Sequence, residues 1–225
     1  MKNLNKFMLI ALLAFVSSNA YAQFGVQFGY VYMPSNGNLE LGTWNEFSGT
    51  TRNHGVSAGI SYDFRIRGYL GMQTGLFYTF AGGTHNEHQR EIEHFNIRGT
   101  QTTTSRYQFL ELPVRVTYNF PIMPDLSFFF FGGPSFSYAL RGHSESRITG
   151  ATRQVVLGTY NNIYEDFGDR VSPFELRLGG GLGAFYRNFQ IKIGYDHGIL
   201  NQFGGTTRRF NLRRNQFAVS FGYVF

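Results

Sequence analysis

Gln216-Phe217-Ala218-Val219-Ser220-Phe221-Gly222-Tyr223-Val224-Phe225, the last ten residues, decide the architecture. Phe217, Val219, Phe221, Tyr223 and Phe225 alternate with Ala218, Ser220 and Gly222, and a period of two puts successive side chains on opposite faces of a strand. In water, a strand with one aromatic and one small face would leave an adhesive edge. A closed barrel in a bilayer pairs that edge and covers the aromatic face with lipid.

The same alternation recurs over residues 24–33, 54–66, 69–80, 107–120, 126–141, 174–187, 189–198 and 215–225, which predicts eight strands. Most reach the ~9–11 residues that a tilted membrane strand requires. Three connections are tight: Arg67-Gly68, Pro121-Ile122-Met123-Pro124-Asp125 and Arg187-Asn188, with Gly or Asn available for positive φ and Pro removing a ladder donor. The other four, residues 34–53, 81–106, 142–173 and 199–214, are long, polar and expected to be loops. Short turns at one end and long loops at the other give the polarity of an outer-membrane barrel, with both termini on the periplasmic side.

The two faces of each strand agree with this. Leu110, Leu112, Val114, Val116, Tyr118 and Phe120 oppose Glu111, Pro113, Arg115, Thr117 and Asn119. Leu70, Met72, Thr74, Leu76, Tyr78 and Phe80 oppose Gly71, Gln73, Gly75 and Phe77. A soluble lipocalin-like barrel would carry many long charged side chains on its polar face, whereas here Gly, Ser and Ala dominate, as a narrow eight-stranded interior demands. The apolar face is therefore expected to meet lipid, with Tyr62, Phe64, Tyr69, Tyr118, Phe120, Tyr186, Phe189, Tyr223 and Phe225 forming a periplasmic aromatic girdle.

Residues 1–22 read as a secretory signal peptide: Lys2 and Lys6 precede an apolar run, and Ala20-Tyr21-Ala22 supplies the cleavage site. Residues 23–225 then form one barrel domain. Cysteine is absent, so neither a disulfide nor a thiolate site can form. The 25 Phe, 14 Tyr and 28 Gly beside only 15% charged residues suit a membrane barrel. The net charge of +6 includes the two leader lysines and is too mild to imply nucleic acid.

Inward-facing charges balance, with Asp63, Glu111, Glu175 and Asp196 against Arg65, Arg115, Arg177 and Lys192. In a narrow lumen they must pair, because an isolated buried charge carries a large desolvation penalty. This predicts an ion-paired plug; a narrow porin-like channel gated by the same pairs is the alternative. Spacing does not say which residue pairs with which. In the second loop His88, Glu91 and His94 could share one side of a helical turn, but the spacing matches no zinc signature, so neither metal nor cofactor is assigned. His143 and Ser144 are adjacent on a strand and point apart, and neither Glu145 nor His197 completes a triad, so the chain is read as a non-enzyme, with a lipid-modifying enzyme as the remote alternative. Arg208, Arg209, Arg213 and Arg214 cluster in the fourth loop and are candidates for contact with lipopolysaccharide phosphates.

The opening strand Phe24-Gly25-Val26-Gln27-Phe28-Gly29, the segment Phe109-Leu110-Glu111-Leu112-Pro113-Val114-Arg115-Val116-Thr117-Tyr118-Asn119-Phe120, Gly132-Gly133-Pro134, the glycines from Gly179 to Gly183 and the terminal Phe225 resemble PorT-type outer-membrane β-barrel proteins of the Bacteroidetes, similar in architecture to the OmpA barrel. The resemblance spans the mature chain outside its long loops. It implies an integral protein of the bacterial outer membrane, inserted by the barrel-assembly machinery, which would read Phe221, Tyr223 and Phe225. Ser220 stands where glycine is usual in that signal, and Ala218 where a polar residue is usual. Some members serve a secretion system, so an accessory secretion component is a further alternative. The expected role is structural or surface-interacting; the ligand of the loops is not specified.

Overall fold

The computed structural model describes residues 22–40, 46–92, 97–150, 154–166, 171–202 and 211–225, so the proposed leader lies outside it except for Ala22. Within these residues are ten strands and one helical turn: β1 (Ala22–Glu40), β2 (Glu46–Arg67), β3 (Leu70–Ile92), β4 (Ile97–Met123), β5 (Leu126–Gly150), β6 (Gln154–Tyr160), α1 (Ile163–Asp166), β7 (Phe174–Tyr186), β8 (Phe189–Gly198), β9 (Asn211–Arg214) and β10 (Gln216–Val224).

Eight strands close a ring in the order β1-β2-β3-β4-β5-β7-β8-β10, and β10 pairs back onto β1. The C-terminal strand β10 thus closes the barrel between β8 and β1. β6 adds to the upper part of β5, and β9 to the upper part of β1. β9 and β10 are one stave interrupted at Asn215. Both keep a single register on β1, and the break falls opposite Pro34, which has no N–H to give, while Asn215 N donates to Pro34 O at 3.1 Å.

The registers also set the size of the lumen. Partners followed from Ala22 through Phe64, Met72, Val116, Gly132, Gly180, Tyr195 and Phe217 return to β1 at Tyr32, ten residues from the start. Eight strands with that stagger tilt by about 40° and enclose a backbone radius of about 8 Å, which side chains can fill.

The strands outrun their expected limits. Residues 34–53, 81–106 and 142–173 are largely continuations of paired strands rather than loops. The ladder persists in water because backbone pairing needs no apolar face, whereas the alternation that betrays a strand requires two different solvents on its two sides. β3 remains a strand through Ile92, so the helical turn needed to align His88 with Glu91 does not form, and His94 lies outside the described residues. The connection expected at residues 121–125 shortens to Pro124-Asp125, with a bulge between Pro121 and Met123. In the β7–β8 turn the positive φ falls on Arg187 (51°), not on Asn188.

Outward side chains form an apolar band. At its turn end, Tyr69, Tyr118, Phe120, Tyr186, Phe189, Tyr223 and Phe225 are exposed and close-packed, with ring centroids 4.7 Å apart for Tyr118–Phe120 and 5.2 Å for Tyr223–Phe225. Tyr30, Tyr78, Phe80, Tyr138, Phe174, Tyr195 and Phe217 make a second exposed ring at the other end. An apolar band between two aromatic girdles is the outer surface of a lipid-facing barrel.

Candidate functional site

The inward face is built from glycine and a few large residues that use the space it leaves. A Cβ on Gly194 would lie 2.9 Å from Phe131 Cζ, one on Gly75 2.6 Å from Phe77 Cε2, and one on Gly183 2.4 Å from Phe129 Cζ. The small face is thus not empty: Phe77, Phe129 and Phe131 lie over it. Phe131 in turn carries the Lys192 ammonium at 5.8 Å and the Arg115 guanidinium at 6.0 Å from its ring centre.

Across this interior run polar bonds in tiers. Nearest the turns, Lys192 Nζ donates to Gln73 Oε1 at 2.7 Å, and Gln73 Nε2 donates to Asp63 Oδ1 at 2.5 Å. Next, Arg115 Nη2 reaches both carboxylate oxygens of Asp196 at 2.7 Å, while Nη1 donates to the carbonyls of Gly133 and Gly179. Above it, Arg177 Nη2 donates to Glu111 Oε1 at 2.7 Å and to Ser137 Oγ at 2.5 Å, and Nη1 donates to Gln216 Oε1. At the top, Arg214 Nη1 donates to Glu175 Oε1 at 2.5 Å and to Tyr164 OH at 3.0 Å, and Gln202 Nε2 donates to the same carboxylate oxygen.

Seven of the eight expected lumen charges therefore sit inside and are partnered. The exception is Arg65, which is exposed in the vestibule beside the β2–β3 turn. It is on the inward face, but too near the end of the barrel to be desolvated, and Asp63 is held by Gln73 instead. Arg214, too, lies elsewhere than its loop position in the sequence suggests. It is 3% exposed, so it cannot be a surface contact for lipopolysaccharide, and it supplies the cation for Glu175. Its guanidinium stacks 4.3 Å from the Tyr107 ring centre and 5.1 Å from that of Phe109. Arg213 is exposed, while Arg208 and Arg209 lie outside the described residues.

Tyr164 and Val171 close the upper end. Both come from the connection between β6 and β7 and pack with Val31, Met33, Ala81, Phe109 and Ala139 as an apolar layer. Asn162 fastens this lid, its Oδ1 accepting from Gly142 N at 3.2 Å and from Tyr164 N at 3.4 Å. Burial raises the Tyr164 phenol above its ordinary pKa, so it stays protonated beside Arg214. Nothing in the sequence pattern signals this tyrosine. Gln73 and Gln216, by contrast, are long amides on otherwise small faces, and that contrast is a readable sign of a role in the lumen.

Beneath the lid, a cavity of about 100 Å³ is lined by Gln27, Gln73, Glu111, Arg115, Lys192 and Asp196 among others. A vestibule of about 920 Å³ occupies the turn end, with Asp63, Arg65, Asn119, Asp125 and Arg187 in its lining. Between the lid and the vestibule, Glu111, Arg115, Glu175 and Arg177 are each at most 5% exposed, which leaves no wide aqueous path.

Among the described residues no group of three or more His, Asp or Glu side chains is gathered for a metal. β5 runs on through Gly150, so His143 and Ser144 point to opposite faces, and Glu145 pairs with Arg147 at 2.5 Å.

The family model of the outer membrane protein β-barrel domain matches residues 16–204. No curated protein sequence matches the chain. Among solved structures the chain is similar to Neisserial surface protein A, with 14% identity over 91% of this chain and 99% of that one and a TM-score of 0.43. It is similar to Ail, the attachment invasion locus protein of Yersinia pestis, with 13% identity, 91% and 99% coverage and a TM-score of 0.37. It is also similar to OprG from Pseudomonas aeruginosa, with 10% identity, 92% and 97% coverage and a TM-score of 0.46.

Proposed function

We propose, for a chain that belongs to the outer membrane protein β-barrel domain family, a PorT-type barrel of the Bacteroidetes whose sealed wall serves to hold an interaction surface outside the cell. The protein is an integral β-barrel of the bacterial outer membrane. The observation that carries the reading is the lumen, crossed by partnered charges and capped by Tyr164 and Val171. A pore of eight strands has little room to begin with, and these bonds use it.

The interaction surface is the set of hairpins above the band. Pairing between β2 and β3 stops at His54 and Gly82, while each strand continues with its other neighbour, so the wall opens into separate ribbons. Among the described residues β6 pairs with β5 alone, and its other edge offers a place for a protein partner to extend. Lipopolysaccharide around the barrel and the barrel-assembly machinery acting through Phe221, Tyr223 and Phe225 are the remaining partners in this reading. A leader cut after Ala22 would make Gln23 the first residue of the mature protein, which N-terminal sequencing would show.

The deciding experiment is electrical. Refolded protein in planar bilayers is expected to give no current above the leak, and reproducible unitary steps would refute the sealed barrel. Unaltered lipid A in a deletion strain would accompany a non-enzymatic role.

A further inference from the structure

Above the upper aromatic ring the outward face turns cationic at a single height. Arg52 on β2, Arg106 on β4, Arg141 on β5 and Arg213 on β9 are all exposed. Arg106 is joined through Gly82 to His54, two residues below Arg52 on the same face. The stagger of ten residues around eight strands raises each successive stave by little more than one residue, which lifts Arg106 to the level of Arg52. Arg141 lies opposite Gln108, one step along the face from Arg106, and Arg213 lies opposite Asn36, one step from the Arg52 partner Pro34.

The four arginines fall into two groups, each with a histidine. His143 is the ladder partner of Arg106, so Arg106, Arg141 and His143 adjoin across β4 and β5. Arg52 and His54 on β2 and Arg213 on β9 flank β1 about half a turn away around the ring. Side chains on such diagonals are within reach of one another when they are long.

These cations lack the anions that would make them ordinary surface pairs. Among the described residues none of the four guanidiniums meets a carboxylate, and Arg141 Nε donates only to Asn161 O, at 3.4 Å. The acids of the wall between the aromatic rings, Asp63, Glu111, Glu175 and Asp196, all point inward. Unpaired guanidinium forks just outside an aromatic interface stand where lipid phosphates lie, and they bind phosphate bidentately.

We propose that the two Arg–Arg–His groups bind the phosphates of outer-leaflet glycolipid headgroups, one lipid on each side of the barrel. This rests on the reading above that the long hairpins face outward from the cell. It replaces Arg214 with residues that solvent and lipid can reach.

Native mass spectrometry of the refolded full barrel with diphosphorylated lipid A tests it. Two lipids are expected on the unsubstituted protein. Arg106→Gln with Arg141→Gln should remove one, Arg52→Gln with Arg213→Gln the other, each weakening its site roughly tenfold or more through lost charge-assisted bonds. Fully dephosphorylated lipid should bind at neither, and inorganic phosphate should not displace the intact lipid. Unchanged binding by the quadruple variant, equal binding of dephosphorylated lipid, or displacement by inorganic phosphate would overturn the assignment. Heat-modifiable gel mobility confirms that each variant is folded. A conducting barrel would defeat the sealed-lumen reading without touching this result, and loss of lipid binding would leave the electrical result standing.

Discussion

Arg177→Leu separates a sealed lumen from a wet one. Arg177 is 1% exposed and its guanidinium holds Glu111, Ser137 and Gln216 together. Once it is removed, Glu111 keeps only Gln216 Nε2, at 3.4 Å. A carboxylate stranded in this way costs about 3–5 kcal/mol, whereas an ion pair bathed in water is worth about 0–1 kcal/mol. The double variant Arg177→Leu/Glu111→Leu discards both charges and fills the space with carbon, so it should fall within about 1–2 kcal/mol of the starting protein. Its residual cost comes from Ser137 and Gln216, which lose a partner. The assay is reversible urea unfolding in phospholipid vesicles, read by the gel mobility of the folded and unfolded forms and by far-ultraviolet circular dichroism. A single variant that loses less than about 1 kcal/mol would place water around the pair. A double variant as unstable as the single would show that packing, rather than charge, accounts for the loss.

Three further outcomes follow from the same geometry. Gly194→Ala, whose Cβ would press on Phe131 at 2.9 Å, should cost about 1–3 kcal/mol in the same titration, and adding Phe131→Leu should recover part of it; absence of any recovery would contradict the packing described. Leu76→Arg, in the middle of the lipid-facing band, should cost about 2–4 kcal/mol against about 0–1 kcal/mol for Leu70→Arg at its turn-side rim, and equal costs would mean that the band does not face hydrocarbon. Tyr164→Ala should speed proteolysis within residues 161–173 on intact vesicles yet leave the barrel non-conducting, because the Arg177–Glu111 pair lies beneath the lid; unchanged cleavage would refute the lid.

The strands were legible where two solvents met across them. Residues 107–120 alternate because lipid lies on one side and a packed lumen on the other, and β4 contains that stretch whole. Above the band both sides are polar, the alternation fades, and pairing that continues to Ile92 and from Ile97 leaves no trace in composition. Arg214 reads as a loop residue in the sequence for a related reason. The pattern breaks at Asn215, opposite Pro34, so the arginine beyond it looks like part of a loop. The register does not slip there, however, and Arg214 keeps the parity of the inward Gln216 and Ala218. Arg65 is the converse case: the alternation gives its inward face, but its height at the turn end leaves it solvated. Glycines on the inward face imply a narrow interior, and Phe77 shares a face with Gly75 on its own strand, but the Phe129 and Phe131 rings resting on Gly183 and Gly194 come from β5 and cannot be placed before the strands are.

The pairing of the charges resisted prediction because of how the barrel closes. Three lumen bonds that hold the charges are chords rather than contacts between neighbouring strands: Arg115 on β4 reaches Asp196 on β8, Arg177 on β7 reaches Glu111 back on β4, and Lys192 on β8 meets Gln73 on β3, directly across the ring. A chord can form only after the strands on both sides are in register, so the ladder sets the partners and local spacing does not. At a radius of about 8 Å, two long side chains just span the interior. The same stagger of ten residues that fixes this radius also fixes the height of each residue on the wall. One parameter therefore aligns carboxylates with guanidiniums inside and leaves arginines without carboxylates outside, at the level where a lipid phosphate can take their place.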